Sequence, residues 1–278
     1  VQEPDNEKLT LARWRQAKAM GRNDVATFLG RFHCIQDNKI DVVVKNSPDP
    51  STRIIQGGPI FCRFHIANDR VNNSLWNFTG TEPALISRIL GITPDDIFLD
   101  VGANIGMYLV LAASMGARCI AIEPFPANYK ELERNIKVNG LTSKVTVFRS
   151  AVGRREEGGR MAFSRNIAGI GAQNLRSSDR FHDKGARPEI QVPIKTVDGL
   201  ISRGEMPAPS FVKIDVDGDE ANVLAGMENL FCEQPPRLII VESTPGSEAQ
   251  SGINKNLQSI GYVRRWTDKM KNMCFQFR

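Results

Sequence analysis

Two acids and two glycines, in Asp100-Val-Gly-Ala-Asn-Ile-Gly106 and at Glu123, stand at spacings that could hold a nucleoside. Gly102 and Gly106 can take backbone angles closed to other residues, and without a Cβ they let a ligand lie on the main chain. A helical pattern follows, and the free N–H groups of a helix start attract a carboxylate or a phosphate. Glu123 ends the next apolar run, Cys119-Ile-Ala-Ile122. An acid about 20 residues past a glycine turn accepts both hydroxyls of a ribose in a βαβ unit.

Which nucleoside follows from what the turn lacks. A dinucleotide turn reads G-x-G-x-x-G. Here the glycines stand as G-x-x-x-G, and Asp100 closes the strand ahead of them, where its charge would repel a pyrophosphate. The pattern D-x-G-x-N-x-G suits S-adenosylmethionine, which carries an ammonium and a carboxylate instead. Asp100 then faces the ammonium side, and Asn104 bonds either the cofactor or the turn itself.

An alcohol acceptor is a poor nucleophile until a nearby carboxylate, His or Lys takes its proton. Asp215, after the apolar run Phe211-Val-Lys-Ile214, is the first candidate, with a helix-start cap as its other reading. Glu242, ending the next such run, is the second. Lys213 and Asp215 fall on one face of a strand, so a Lys–Asp pair is expected. Asp215, Asp217, Asp219 and Glu220 would also suit Mg²⁺ or Ca²⁺. Acids are favoured at a helix start in any case, and no metal is expected. His33 and His65 lie in strand patterns and read as structural, while His182 sits in an insertion that would reach the acceptor.

These residues need a scaffold of alternating strands and helices. Strands are expected at 97–101, 118–123, 144–149, 190–195, 210–215 and 237–242, with helices at 105–115, 126–139, 219–230 and 247–259 and a final hairpin at 261–277. Pro126 suits a first helical turn and Gly140 a helix end. The alternation predicts a parallel sheet with helices on both faces. Ahead of it, helices are expected around 11–19 and 23–29, strands at 32–35, 40–44, 60–66 and 75–78, and a helix from Glu82 to Leu90. Residues 153–190, rich in glycine and arginine, read as a loop insertion. The division expected is an N-terminal extension, 1–80, on the acceptor side, and a cofactor-binding domain, 81–278.

The 278 residues, 41% hydrophobic and 24% charged, fit a globular domain with an extension. No apolar run approaches the roughly 18 residues of a membrane span. The net charge of +5 is spread in short clusters such as Arg154-Arg155, so a nucleic-acid partner is not expected. Five scattered cysteines without a C-x-x-C pair, and a polar start with no visible leader, point to a reduced, cytoplasmic setting. Nothing in the pattern specifies an oligomer.

The chain resembles the FkbM-type family of S-adenosylmethionine-dependent methyltransferases. The likeness rests on Gly80-Thr-Glu82, Phe98-Leu-Asp-Val-Gly-Ala-Asn-Ile-Gly106, Ala121-Ile-Glu-Pro-Phe-Pro126 and Leu132-Glu-Arg-Asn-Ile-Lys-Val-Asn-Gly-Leu141. It continues with Ser150-Ala-Val-Gly153, Thr196-Val-Asp198, Phe211-Val-Lys-Ile-Asp-Val-Asp-Gly-Asp-Glu220 and Ile240-Val-Glu242. It covers about residues 80–278. It implies the α/β class I methyltransferase fold, a Rossmann-like, seven-stranded and mostly parallel sheet with an antiparallel C-terminal hairpin. It also implies O-methylation of a sugar or natural-product hydroxyl, with a small-molecule or saccharide acceptor as partner. Two positions depart from the family: Asp215-Val-Asp-Gly-Asp-Glu220 stands for Asp-Val-Glu-Gly-Ala-Glu, and Phe125 stands where Asn or Asp is frequent.

In such a fold Ser150 and Ala151 would edge the adenine, and Phe125 would either stack on it or fill the core. Three functions fit the sequence: a saccharide or small-molecule O-methyltransferase, an RNA or protein methyltransferase, and a catalytically silent partner subunit of the same fold.

Overall fold

The computed structural model describes residues 43–57, 60–78, 82–163, 165–169, 174–176, 188–268 and 271–278. The helices and strand expected before residue 40, His33, His182 and the Gly80-Thr81 pair lie outside these residues.

Seven strands form the main sheet: β4 (Ile97–Val101), β5 (Arg118–Ile122), β6 (Val145–Phe148), β11 (Phe211–Ile214), β12 (Leu238–Glu242), β13 (Tyr262–Thr267) and β14 (Asn272–Phe277). Their order is β13-β14-β12-β11-β4-β5-β6. The chain steps outward from β4 in both directions, so the order reverses there, and the carboxyl ends of β4 and β11 open a crevice. The strands are short runs of β-branched and apolar residues because both faces are covered. Phe98, Cys119, Ala121, Phe211, Ile240 and Cys274 enter one core. Leu99, Ile120, Val212, Ile239 and Phe275 enter the other.

The class I methyltransferase fold expected from the sequence is present. The expected antiparallel hairpin lies at the sheet edge. β14 slots between β12 and β13 and is antiparallel to both, so it alone runs against the sheet.

Helices α2 (Pro83–Leu90), α3 (Met107–Ser114), α4 (Pro126–Val138), α5 (Val197–Ser202) and α8 (Glu248–Ser259) cover the sheet. Pro126 begins α4, and Gly140 beyond its end takes φ +66°. The helix expected over 219–230 is two helices, α6 (Glu220–Ala225) and α7 (Glu228–Glu233). Gly226 caps the first of them, and the position admits only glycine, because a Cβ there would lie 2.2 Å from the carbonyl oxygen of Gly153. Asp198 caps α7 through the N–H groups of Asn229 and Leu230, each at 2.9 Å.

Two expectations are corrected outright. Residues 75–78 are not a strand: Asp69–Trp76 is a helix, α1, whose N-cap Asn68 accepts the Val71 N–H. Val71 and Leu75 are buried at helical spacing. The 153–190 insertion is not all loop. It contains β8 (Glu157–Ala162), which pairs along its length with β10 (Glu189–Lys195) in a second sheet, ordered β7-β10-β8-β9, with β7 at Ala151–Val152 and β9 at Asn174–Arg176. Two glycines and an Arg hide β8 from any propensity reading.

A third sheet, β1 (Val43–Asn46), β2 (Thr52–Gly57) and β3 (Ile60–His65), sits on α3 and α4. Cys62 and Phe64 share the core of Leu109, Val110 and Ile136. Asn139 and Asn135 accept the Arg63 and His65 N–H groups at 2.7 and 2.9 Å. His65 pairs with Glu131 at 2.7 Å and so serves the packing of this sheet. Cys62, Cys119, Cys232 and Cys274 are free thiols. No helix among the described residues is long and apolar enough to cross a membrane.

Candidate functional site

The glycine turn is built by backbone bonds. The N–H groups of Gly102 and Ala103 both donate to the Ile122 carbonyl, at 2.9 and 3.2 Å, which draws the turn over the end of β5. Gly102, Asn104 and Gly106 take φ of +79°, +52° and +83°. Gly102 is required by contact as well as by angle, since a Cβ would stand 1.9 Å from the Asp215 carbonyl oxygen. At Gly106 a Cβ would stand 2.4 Å from Leu132 Cδ1. Gly106 therefore seats the turn on α4, and it does not line the cleft.

The cleft over this turn has a volume of about 100 Å³. Val101, Ile122, Val152, Met161 and Val216 give it apolar walls, and Asn104, Glu123, Asn128, Ser150 and Asp215 give it polar ones. Glu123 is buried, and its two oxygens accept the Asn104 N–H at 2.8 Å and the Phe125 N–H at 2.9 Å. Burial nonetheless pushes its carboxyl up to about 7, with the backbone N–H groups of Phe125 and Asn104 opposing the rise. A carboxylate offers about four acceptor sites, so hydroxyl donors still have room. Ser150 Oγ and Asn104 Oδ1 are buried and have no hydrogen-bond partner. Buried polar atoms of this kind are rare in folded chains, and both of these line the cleft.

Asp215 is shared between this cleft and a second one of about 290 Å³, lined by Asp217, Glu220, Glu242, Ser243, Thr244, Ser247 and Lys271. The expected pair is present, with Lys213 Nζ 3.2 Å from Asp215 Oδ2. Lys213 also lies 3.3 Å from Asp100 Oδ1. Burial works against the Lys213 ammonium, but Asp100, Asp215 and Glu82 outweigh it and hold its pKa above the ordinary lysine value. Burial raises the Asp100 carboxyl, with Lys213 opposing. Burial, then the neighbouring Asp215, lifts Glu242 to about 8.

Three residues considered as cofactor contacts stay out of the cleft, Phe125 by the core reading the sequence also allowed. Asp100 does not line the cleft: it is a buried partner of Lys213, which takes the place of the cofactor ammonium. Phe125 does not reach the cleft either. Its ring is fully buried, 5.3 Å from Phe163, among Ala151, Met161, Val192 and Ile194. Gly106 acts from beneath. Glu123, Gly102, Asn104, Ser150 and Ala151 line the cleft, and Glu242 stands beside Asp215 in the second.

Sequence reasoning missed Asn128, whose Nδ2 reaches Glu123 Oε1 at 3.5 Å from the first turn of α4. Its distance of five residues from Glu123, past Pro126 at a helix start, was the available signal. Met161 was hidden with β8. Glu220 and Asp219 make local helix-start bonds, to the Gly218 N–H at 2.8 Å and to Asn222 Nδ2 at 2.6 Å. Among the described residues no three His, Cys, Asp or Glu side chains are arranged to hold a metal ion.

Residues 100–276 match the family model described as the methyltransferase FkbM domain. The hexuronic acid methyltransferase AglP of Haloferax volcanii is 32% identical over 155 residues, 55% of this chain and 57% of its own length. The 31-O-demethyl-FK506 methyltransferase FkbM of Streptomyces tacrolimicus is 27% identical over 54% of this chain and 66% of its own. The chain thus spans somewhat under two thirds of these relatives. Among solved structures, methyltransferase FkbM from Methylobacillus flagellatus KT superposes with a TM-score of 0.47 at 16% identity, covering 76% of this chain and 56% of that one. With the family model covering well over half of its residues, the chain belongs to the FkbM methyltransferase family.

Proposed function

We propose that the chain transfers the methyl group of S-adenosylmethionine to a hydroxyl of a saccharide or a natural product. The observation that carries this reading is Asp215, which borders both the nucleoside-type cleft and the acid-lined cleft beside it.

The residues present fit the cofactor. The unpartnered Ser150 Oγ and Asn104 Oδ1 offer bonds to the nucleoside, and Glu123 offers acceptors to the ribose hydroxyls. Gly102 keeps the main chain bare at the turn. When bound, S-adenosylmethionine supplies a methyl group on a sulfonium, which an aligned nucleophile displaces. The chain supplies placement and a proton acceptor. Asp215 would take the hydroxyl proton, with Lys213 holding one of its oxygens and Glu242 beside it. Ser243, Thr244 and Ser247 would bond the other hydroxyls of the acceptor. The names of two relatives, for hexuronic acid and 31-O-demethyl-FK506, support this acceptor class. The free thiols Cys62, Cys119 and Cys274, buried and unpaired, support a reducing, cytoplasmic setting.

Calorimetric titration with S-adenosylmethionine and, separately, NAD tests the cofactor, and transfer of a labelled methyl group to a panel of hexoses, uronic acids and macrolides tests the acceptor. Binding of S-adenosylmethionine alone and label on a hydroxyl are expected. Preference for NAD would end the proposal.

A further inference from the structure

Four carboxyl groups converge around one buried ammonium. Asp100 and Asp215 bond Lys213 directly, and Glu242 shares a hydrogen bond with Asp215. The fourth, Glu82, lies just ahead of α2. Tyr108 donates its hydroxyl to Glu82 Oε2, and Asn272 Nδ2 donates to Glu82 Oε1 at 2.6 Å. Tyr108 also lays its ring 5.4 Å from Lys213 Nζ, so one side chain touches both the acid and the ammonium.

Strand register explains the convergence. Lys213 is opposite Asp100 on β4, and Glu242 is opposite Asn272 on β14. Alternation of side chains across a strand puts Asp100, Lys213, Asp215, Glu242 and Asn272 on one face, at the carboxyl ends of β4, β11 and β12 and the start of the antiparallel β14. Tyr108 on α3 and Glu82 close that row from above. Asn272 is anchored in turn, its N–H on Asp268 Oδ1 at 2.9 Å.

A buried charge cluster is costly unless each member is paired, and removing one member exposes the rest. Glu82 is the member with the fewest charged contacts and two neutral donors, so its carboxylate is held in place whatever occupies the clefts. It lines neither cleft. It acts on the site only through its neighbours. The groups that face Glu242 are Lys213 on β11 and Asp215 just past its end, Glu82 ahead of α2, and Asp217, Glu220 and Lys271 around the second cleft, while β14 presents the neutral Asn272.

We propose that Glu82 is a positioning residue of the acceptor site: clasped by Tyr108 and Asn272, its carboxylate keeps Lys213 seated between Asp100 and Asp215 and keeps Glu242 turned onto Asp215. The inference rests on the reading of Asp215 as the proton acceptor. It makes the charge state beside Asp215 depend on a side chain that lines neither cleft.

The test is a ¹³C NMR titration of the full chain labelled at its glutamate carboxyl carbons, with and without S-adenosylmethionine. In the native chain the Glu242 signal is expected to titrate near 8. Glu82→Gln removes one facing negative charge, and the Glu242 midpoint is expected to fall by about one pH unit. Tyr108→Phe keeps the ring over Lys213 and removes only the donor to Glu82, so the midpoint should fall in the same direction by less. Midpoints that stay put in both folded variants overturn the proposal. If Glu82→Gln does not fold, Tyr108→Phe decides alone. A native chain that binds no S-adenosylmethionine removes the functional reading, and the comparison of midpoints still decides the role of Glu82.

Discussion

A Cβ placed on Gly102 would stand 1.9 Å from the carbonyl oxygen of Asp215. The glycine turn and the end of β11 are therefore packed main chain against main chain, with the Asp215 N–H bonded to the Val101 carbonyl at 3.0 Å. This contact sets the proposed proton acceptor beside the proposed cofactor bend. Gly102→Ala must push the two apart and also hold φ +79° with a side chain, a strain of about 1–3 kcal/mol before the clash is counted. Chemical denaturation should show a loss at the upper end of that range or beyond, and S-adenosylmethionine binding should disappear. A variant of native stability and affinity would mean that the turn is not so closely packed.

Glu123 links cofactor binding to pH. Its carboxyl, ordinarily near 4.5, titrates at about 7 in the folded chain because it is buried. Ribose hydroxyls favour the ionised form, so binding should release protons near pH 6.5 and tighten as pH rises through 7. Calorimetry in two buffers of different ionisation heat reads that release directly. Glu123→Gln should abolish it and weaken binding by about 1–3 kcal/mol. Without ligand the sign reverses for stability. The folded chain holds a proton that the unfolded chain has lost, so this group's contribution is full below about 4.5 and is lost as pH rises through about 7. Thermal unfolding of Glu123→Gln should lack this component of the pH dependence.

Asp215→Asn separates binding from chemistry. If Asp215 takes the acceptor proton, kcat should fall by about 10²–10⁴-fold while affinity for S-adenosylmethionine changes only a few-fold. Equal losses in both would make Asp215 a binding residue. Glu242→Gln removes a titrating neighbour, so the alkaline side of the rate profile, expected near 8, should move. An unmoved profile would detach Glu242 from the reaction.

Phe125→Ala distinguishes stacking from packing. The ring is buried against Phe163, so its loss should cost about 3–5 kcal/mol of stability by opening a cavity. Cofactor affinity, measured below the unfolding transition, should change far less than stability. The opposite pattern would place the ring on the adenine.

Much of the main sheet was legible because its strands and helices carry strong local signals. Glycines, Pro126 and apolar runs mark each boundary within a few residues. Glu123 and Gly102 were legible because one βαβ unit contains them both. What escaped depends on distant pairing. β8 has the composition of a loop and becomes a strand only because β10 lies beside it. The ring of Phe125 points into the core formed by that second sheet, which no local pattern announces. Asp100 read as a cofactor contact because its partner, Lys213, is 113 residues away in sequence. Glu82 and Asn272, 190 residues apart, meet only through the strand order.

A crystal structure of the chain with S-adenosylhomocysteine is the most direct measurement. Ribose hydroxyls are expected on the Glu123 carboxylate, adenine beside Ser150, and the sulfur on the side of the cleft bordered by Asp215. A ligand bound away from Glu123, or an empty bend at saturating ligand, would contradict this placement.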